Sequence, residues 1–297
     1  MASLASRVDE NAHGAFFVDA TCIDCDACRQ IAPATFARSR RLAQSVVAAQ
    51  PAADSEGEAR ALMAVIACPT ASIGTSPKRS AVAATAAFPE PLEDDVFYCG
   101  WHSPASYGAA SYLIVRPDGD NVLVDSPRAA RPLFERIAAL GGVRTLVLSH
   151  RDDVADHAAF ARRFGCRRVM HAADAGRLPI ERRISGTDPV ALDGELTLIP
   201  VPGHTRGSMA LLYRDKFLFT GDHLWWDEDD ERLDMGREVC WYSWSEQIRS
   251  LERLRDLRFQ WVLPGHGRRF RARSADEMRA ALDQSIMRIG AAEPGRR

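Results

Sequence analysis

Four cysteines restrict what this chain can become more than any other feature of its 297 residues. Cys22, Cys25 and Cys28 occupy every third position of one short run, and a remote Cys68 is followed at once by Pro69. Thiols spaced this way on a loop can be turned toward one centre, and the fold can bring in a fourth to complete the set. The chain holds 7 cysteines, and Cys99, Cys166 and Cys240 stand alone, so the pattern is not that of a disulfide framework. Residues 1–20 mix Arg7, Asp9, Glu10 and His13 with apolar residues and carry no stretch suited to a signal peptide. Clustered thiols without an export signal point to metal binding in a reducing compartment, the cytoplasm.

The run resembles the C-x2-C-x2-C pattern of bacterial ferredoxins, in which a distant C-P closes the set. Only one such run exists, so the resemblance implies a single 4Fe–4S cluster held by Cys22, Cys25, Cys28 and Cys68. It covers residues 14–76. Four thiolates also suit zinc, but zinc ribbons pair two C-x2-C knuckles, and the second is missing here. Around the run, Ala15–Ala20 reads as a strand and Cys28–Phe36 as a short helix. Ala59–Ala67 reads as a helix leading into Cys68, and Ala71–Gly74 as the returning strand. Ferredoxin-like modules usually move electrons, which implies a redox partner protein. A purely structural cluster is the other reading.

Residues 77–95 combine Pro, Ser, Ala and charges without periodicity and read as a linker. From Val96 onward strands alternate with helices, a layered α/β pattern. Ser111–Val115 and Asn121–Asp125 form a hairpin around Pro117-Asp118-Gly119. Arg131–Leu140, Asp156–Phe164, Ser245–Leu254 and Ala275–Ile289 read as helices. Domains are therefore expected at 1–76 and 96–297. The net charge of -2 argues against a general nucleic-acid binder, and no apolar run is long enough to span a bilayer. The expected partner is a small-molecule substrate.

The chemistry lies where strands end. Four segments stand out: Ser149-His150 through Asp156-His157, Pro202-Gly203-His204-Thr205, Thr220-Gly221-Asp222-His223 and Pro264-Gly265-His266-Gly267. His and Asp are the ligands that hold zinc or iron with positions left open. Gly beside three of them permits the tight turns that converge on one point. In this order the segments resemble the metallo-β-lactamase superfamily. That resemblance implies an α+β ferredoxin-like domain followed by an αββα sandwich with two divalent metals, zinc or iron. Carried over, His150 and His204 bind the first metal, and Asp156, His157 and His266 the second. Asp222 bridges them, and Asp156 and Asp222 are the catalytic carboxylates.

The first segment departs from the family's H-x-H-x-D-H. Its second His is replaced by Asp152, and two residues are inserted before Asp156-His157. Asp152 is then either a carboxylate ligand or a group orienting a His. Asp153 is either its neighbour in this work or the N-cap of the following helix, with Asp156 as the N3 carboxylate. His223 orients a ligand or faces substrate. Trp225, Trp226 and Tyr242, in an aromatic insert after Asp222, either wall a substrate pocket or pack the linking helix.

Two reactions compete. In a hydrolase the metals activate a water, and the fused ferredoxin is left unexplained. In a redox enzyme the cluster feeds a diiron site, as in the flavodiiron branch, which also has a carboxylate in place of the second His. A mere electron carrier with a decayed metal domain does not fit the intact His204, Asp222 and His266.

Overall fold

The computed structural model describes residues 1–291. The chain divides into two compact units, residues 1–146 with 155–166, and residues 147–154 with 167 to the C-terminus.

The first unit opens with β1 (Phe16–Val18), α1 (Ala27–Ile31), β2 (Phe36–Ser39), β3 (Gln44–Val47), α2 (Glu56–Ala67) and β4 (Ile73–Thr75). β1 and β4 pair antiparallel, as do β2 and β3. α1 is shorter than the helix expected over Cys28–Phe36. It ends at Ile31 because Pro33 follows, and the residue before a proline is driven out of helical space. The β2–β3 hairpin was not expected, since neither strand alternates in polarity. α2 starts early enough to use Ser55, whose side chain accepts the Glu58 N–H. Glu58 in turn accepts the Asp54 N–H, a reciprocal cap that anchors the helix running into Cys68.

Residues 77–95, expected as a linker, carry α3 (Val82–Ala86) and β5 (Glu90–Glu93). β5 pairs antiparallel with β6 (Val96–Tyr98), then β7 (Tyr112–Ile114) and β8 (Val122–Val124) continue the antiparallel run. α4 (Arg131–Ala139) and α5 (His157–Phe164) complete this unit, and β9 (Thr145–Val147) leads the chain into the second.

In the second unit β10 (Arg167–His171) and β11 (Arg182–Ile184) pair parallel, with the short α6 (Ala172–Ala175) between them. A six-stranded sheet follows, in the order β12-β13-β14-β15-β18-β19. Its strands are β12 (Val190–Ala191), β13 (Leu196–Pro200), β14 (Met209–Tyr213), β15 (Phe217–Gly221), β18 (Trp261–Pro264) and β19 (Phe270–Arg271). A β16–β17 ribbon (Trp225–Asp227, Arg232–Asp234) and α7 (Trp244–Leu254) separate β15 from β18, and α8 (Ala275–Ala291) closes the described chain. The apolar face of this sheet, with Leu212, Leu218 and Val262, packs with Ile248 and Leu251 of α7 and Met278 and Leu282 of α8. That packing fixes the strand ends from which the polar loops emerge. Among the described residues, no helix is long and apolar enough to cross a membrane.

Candidate metal centre and thiol site

The thiol site is built wholly within the first unit. The loop between β1 and α1 reverses through positive φ at Asp24 (58°) and Asp26 (65°), which turns backbone N–H groups toward the sulfurs. The amides of Asp24 and Ser45 donate to Cys22 and that of Ala27 to Cys25, while Ser72 N–H reaches Cys68 Sγ at 3.3 Å. Arg29 ties the loop down, its guanidinium held by Asp24 at 2.7 Å and by Asp26 and Ser45 at 2.5 Å.

Burial dominates the thiol chemistry. It raises the pKa of Cys22 and Cys28 and pushes Cys25 up to about 12, with the neighbouring sulfurs adding to the effect. Thiolates become stable here only against a strong positive charge, which iron supplies. One later segment closes over the loop. Gly108, at φ +87°, passes so near that a Cβ there would lie 2.7 Å from Cys25 Cβ and 3.1 Å from Pro69. His102 fixes that segment through Nδ1 to the Gly108 carbonyl and Nε2 to the Tyr98 hydroxyl.

The imidazole and carboxylate site lies in the second unit. His150 follows β9, His204 follows β13, Asp222 follows β15 and His266 follows β18, so each ligand candidate leaves a strand end. His204 Nδ1–H donates to the Val239 carbonyl at 2.6 Å, which leaves Nε2 as the ligating nitrogen. Nε2 lies 3.5 Å from Asp152 Oδ2 and 3.7 Å from Asp222 Oδ2, and His150 Nε2 lies 3.5 Å from the same Asp222 oxygen. A tetrahedral ion with bonds of about 2.0–2.1 Å sets its donors about 3.3–3.4 Å apart, so the residues present fit a divalent metal.

Two donor sets converge to within 4.8 Å: His150, Asp152 and His204, and His150, Asp153 and Asp222. Asp152 is half exposed and Asp153 fully buried. Asp153 does not cap the following helix. α5 begins at His157 with Asp156 as its N-cap, and the Asp156 side chain makes no capping bond to the helix. Asp156 and His157 fall in the first unit, where Ala129 N–H donates to Asp156 Oδ2 at 2.7 Å.

Electrostatics follow the crowding. Burial alone would raise Asp222, but His266 and His150 outweigh it and hold its pKa well below the usual carboxylate value. Burial works against charge on His266, yet Asp222, 2.9 Å from its Nδ1, pushes it up to about 9. Asp152 is lowered chiefly by its hydrogen bond to His204. His223 is fully buried, and burial drives its pKa down to about 3, so it stays neutral.

The aromatic insert divides in two. Trp226 stacks on Phe270, ring centroids 3.9 Å apart, and packs the unit's core. Trp225, with Trp244, Arg237 and Arg288, lines a cavity of about 420 Å³. Tyr242 is exposed and donates its backbone N–H to the His204 carbonyl at 3.1 Å. Sequence reasoning passed over Trp241, which is 60% exposed with its ring 6.4 Å from that of His204. It also missed Asp174, which binds Thr205 Oγ1 and accepts the Gly207 N–H at 2.7 Å and the Arg151 N–H at 3.1 Å. The Cys240–Trp244 run was a signal for the first, while nothing local marks the second.

Residues 18–75 match the 4Fe-4S single cluster domain of Ferredoxin I. The chain is also similar to hydroxyacylglutathione hydrolases. That of Anaeromyxobacter dehalogenans (strain 2CP-C) is 39% identical over 128 residues, 40% of this chain and 48% of that protein. That of Fuscovulum blasticum is 40% identical over 116 residues, 36% of this chain and 44% of that protein. The chain spans about half the length of these curated relatives. Among solved structures, the DIM-1 metallo-beta-lactamase is 18% identical with a TM-score of 0.49, covering 66% of this chain and 96% of its own. This chain thus carries a segment that matches the 4Fe-4S single cluster domain of Ferredoxin I, and over part of its length it is similar to hydroxyacylglutathione hydrolases.

Proposed function

We propose that the second unit is the seat of a metal-dependent hydrolase acting on a small acyl thioester or ester. The observation that carries this is the convergence of His150, Asp152, His204 and Asp222 at donor separations of 3.5 to 3.7 Å. The similarity to hydroxyacylglutathione hydrolases supplies the substrate class. A divalent ion held there would lower the pKa of a water and polarise a carbonyl. The chain's own part is orientation. Val239 sets the His204 tautomer, and Asp222 stays ionised between two imidazoles. Neutral His223 adds no charge behind it, and exposed Trp241 and Tyr242 flank His204 where an acyl group would approach. In this reading residues 1–76 serve the cluster, 77–95 lead on through α3 and β5, and 96–297 perform the reaction in the cytoplasm.

A second reading is favoured by the carboxylate richness of the site. Asp152, Asp153 and Asp222 suit iron as well as zinc, and a diiron site could draw electrons from the cluster and a redox partner protein. One measurement separates the two: iron, zinc, manganese and acid-labile sulfide per full-length chain purified without oxygen. About four irons and four sulfides with about two zincs, followed by turnover of acyl thioesters, fits the hydrolase. About six irons without zinc, and no hydrolysis, overturns it in favour of redox chemistry.

A further inference from the structure

The carried-over second metal position used Asp156 and His157, which in sequence stand two residues too late. We infer that this position is held instead by Asp153, together with Asp222 and His266, and that Asp156 and His157 form the start of α5. The inference rests on the metal-hydrolase reading and assigns its ligands.

Three observations carry it. Asp153 is completely buried, and a ligand atom from each of His150, Asp153 and Asp222 falls within 4.8 Å of the others. Gly265 records how tightly the carboxylates converge. A Cβ there would lie 2.5 Å from Asp153 Oδ2 and 2.8 Å from Asp222 Oδ1, so the two carboxylates flank one small space beside His266. The His266 N–H and Nδ1 both meet Asp222, which fixes that ring at the same place. Two buried carboxylates side by side repel, and a divalent cation between them turns the repulsion into attraction. Asp156, by contrast, gives Oδ2 to Ala129 N–H at 2.7 Å, and its residue is the N-cap of α5.

Adjacent residues on a turn send their side chains different ways. Asp152 reaches His204 and Asp153 turns inward toward Asp222. The dipeptide Asp152-Asp153 thereby serves two metal positions, which a motif spaced H-x-H-x-D-H divides among separated residues.

The test counts non-cluster metal in full-length Asp153→Asn, Asp156→Asn and Gly265→Ala, each purified without oxygen. Inductively coupled plasma mass spectrometry gives total metal, and acid-labile sulfide gives the cluster share and shows that the first unit has folded. Expected are a fall from two non-cluster metals to one in Asp153→Asn, and two retained in Asp156→Asn. Gly265→Ala, which thrusts a methyl between the carboxylates, should lose the second metal as Asp153→Asn does. It keeps the test alive if Asp153→Asn is insoluble. Two metals retained in both Asp153→Asn and Gly265→Ala, or loss in Asp156→Asn, would overturn the assignment. A wild-type chain with a full cluster and no other metal would sink the hydrolase reading itself.

Discussion

At the scale of single residues, the proposed metal site rests also on side chains outside its donor set. Asp174 is buried at 6% exposure and accepts from the Arg151 and Gly207 backbones and from the Thr205 hydroxyl. It therefore clamps the loop of His150 and Asp152 to the loop of His204. Partners that orient ligands are worth about 10–100-fold in metal affinity. We expect Asp174→Ala to weaken zinc binding by that range, read by competition with a chromophoric chelator. Loss of its buried hydrogen bonds should also cost about 1–3 kcal/mol of stability in denaturant unfolding. The strand-end placement of His150, His204, Asp222 and His266 was legible because each follows a strand beside Gly or Ser. Asp152 and Asp153 stayed alternatives in the sequence, because only burial tells the two carboxylates apart. Asp174 was invisible because its work is done across the sheet's loops, at sequence separations no local pattern records.

At the scale of elements, short pieces were the ones the sequence concealed. β5 carries Pro91 and has a register shift between Pro91 and Glu93, features an edge strand tolerates but an interior strand does not. α3 has five residues, too few to display a helical period. Longer elements such as α2, α4 and α7 were readable as helices, although α2 and α7 begin earlier than expected, at caps on Ser55 and Ser243. α7 also explains Gly203. Ser243 begins the helix, its N–H and that of Tyr242 meeting the Gly203 carbonyl, and Ser250 Oγ donates to the Pro202 carbonyl at 2.7 Å. The helix thus holds the His204 loop by its backbone. The segment at Gly108 does the same for the thiols. A side chain there meets Cys25 and Pro69 in a backbone conformation L residues resist, at a cost of about 1–3 kcal/mol. Gly108→Ala should therefore release labile sulfide faster under oxygen than the wild type, with the metal count of the His/Asp site unchanged. Equal release rates would show that the segment does not shield the cluster.

At the scale of the molecule, two inorganic centres are assigned to two units. All four thiols belong to the first, and His150, Asp152, Asp153, His204, Asp222 and His266 to the second. Chelation should separate them. Dialysis of the full chain against a zinc chelator is expected to abolish hydrolysis while four irons and four sulfides stay bound. Loss of both centres together would show that they stand or fall as one. The first unit is also discontinuous, since residues 155–166 belong to it, and within it Gly108 follows long after the Cys25 that it approaches. Synthesis proceeds from the N-terminus, so the cysteine loop leaves the ribosome long before its cover exists. We expect iron and sulfide to enter more readily in that interval than after Gly108 is in place. A chain that folds empty sets Gly108 against Cys25 first, so we expect cofactor delivery to be a race against the chain's own completion.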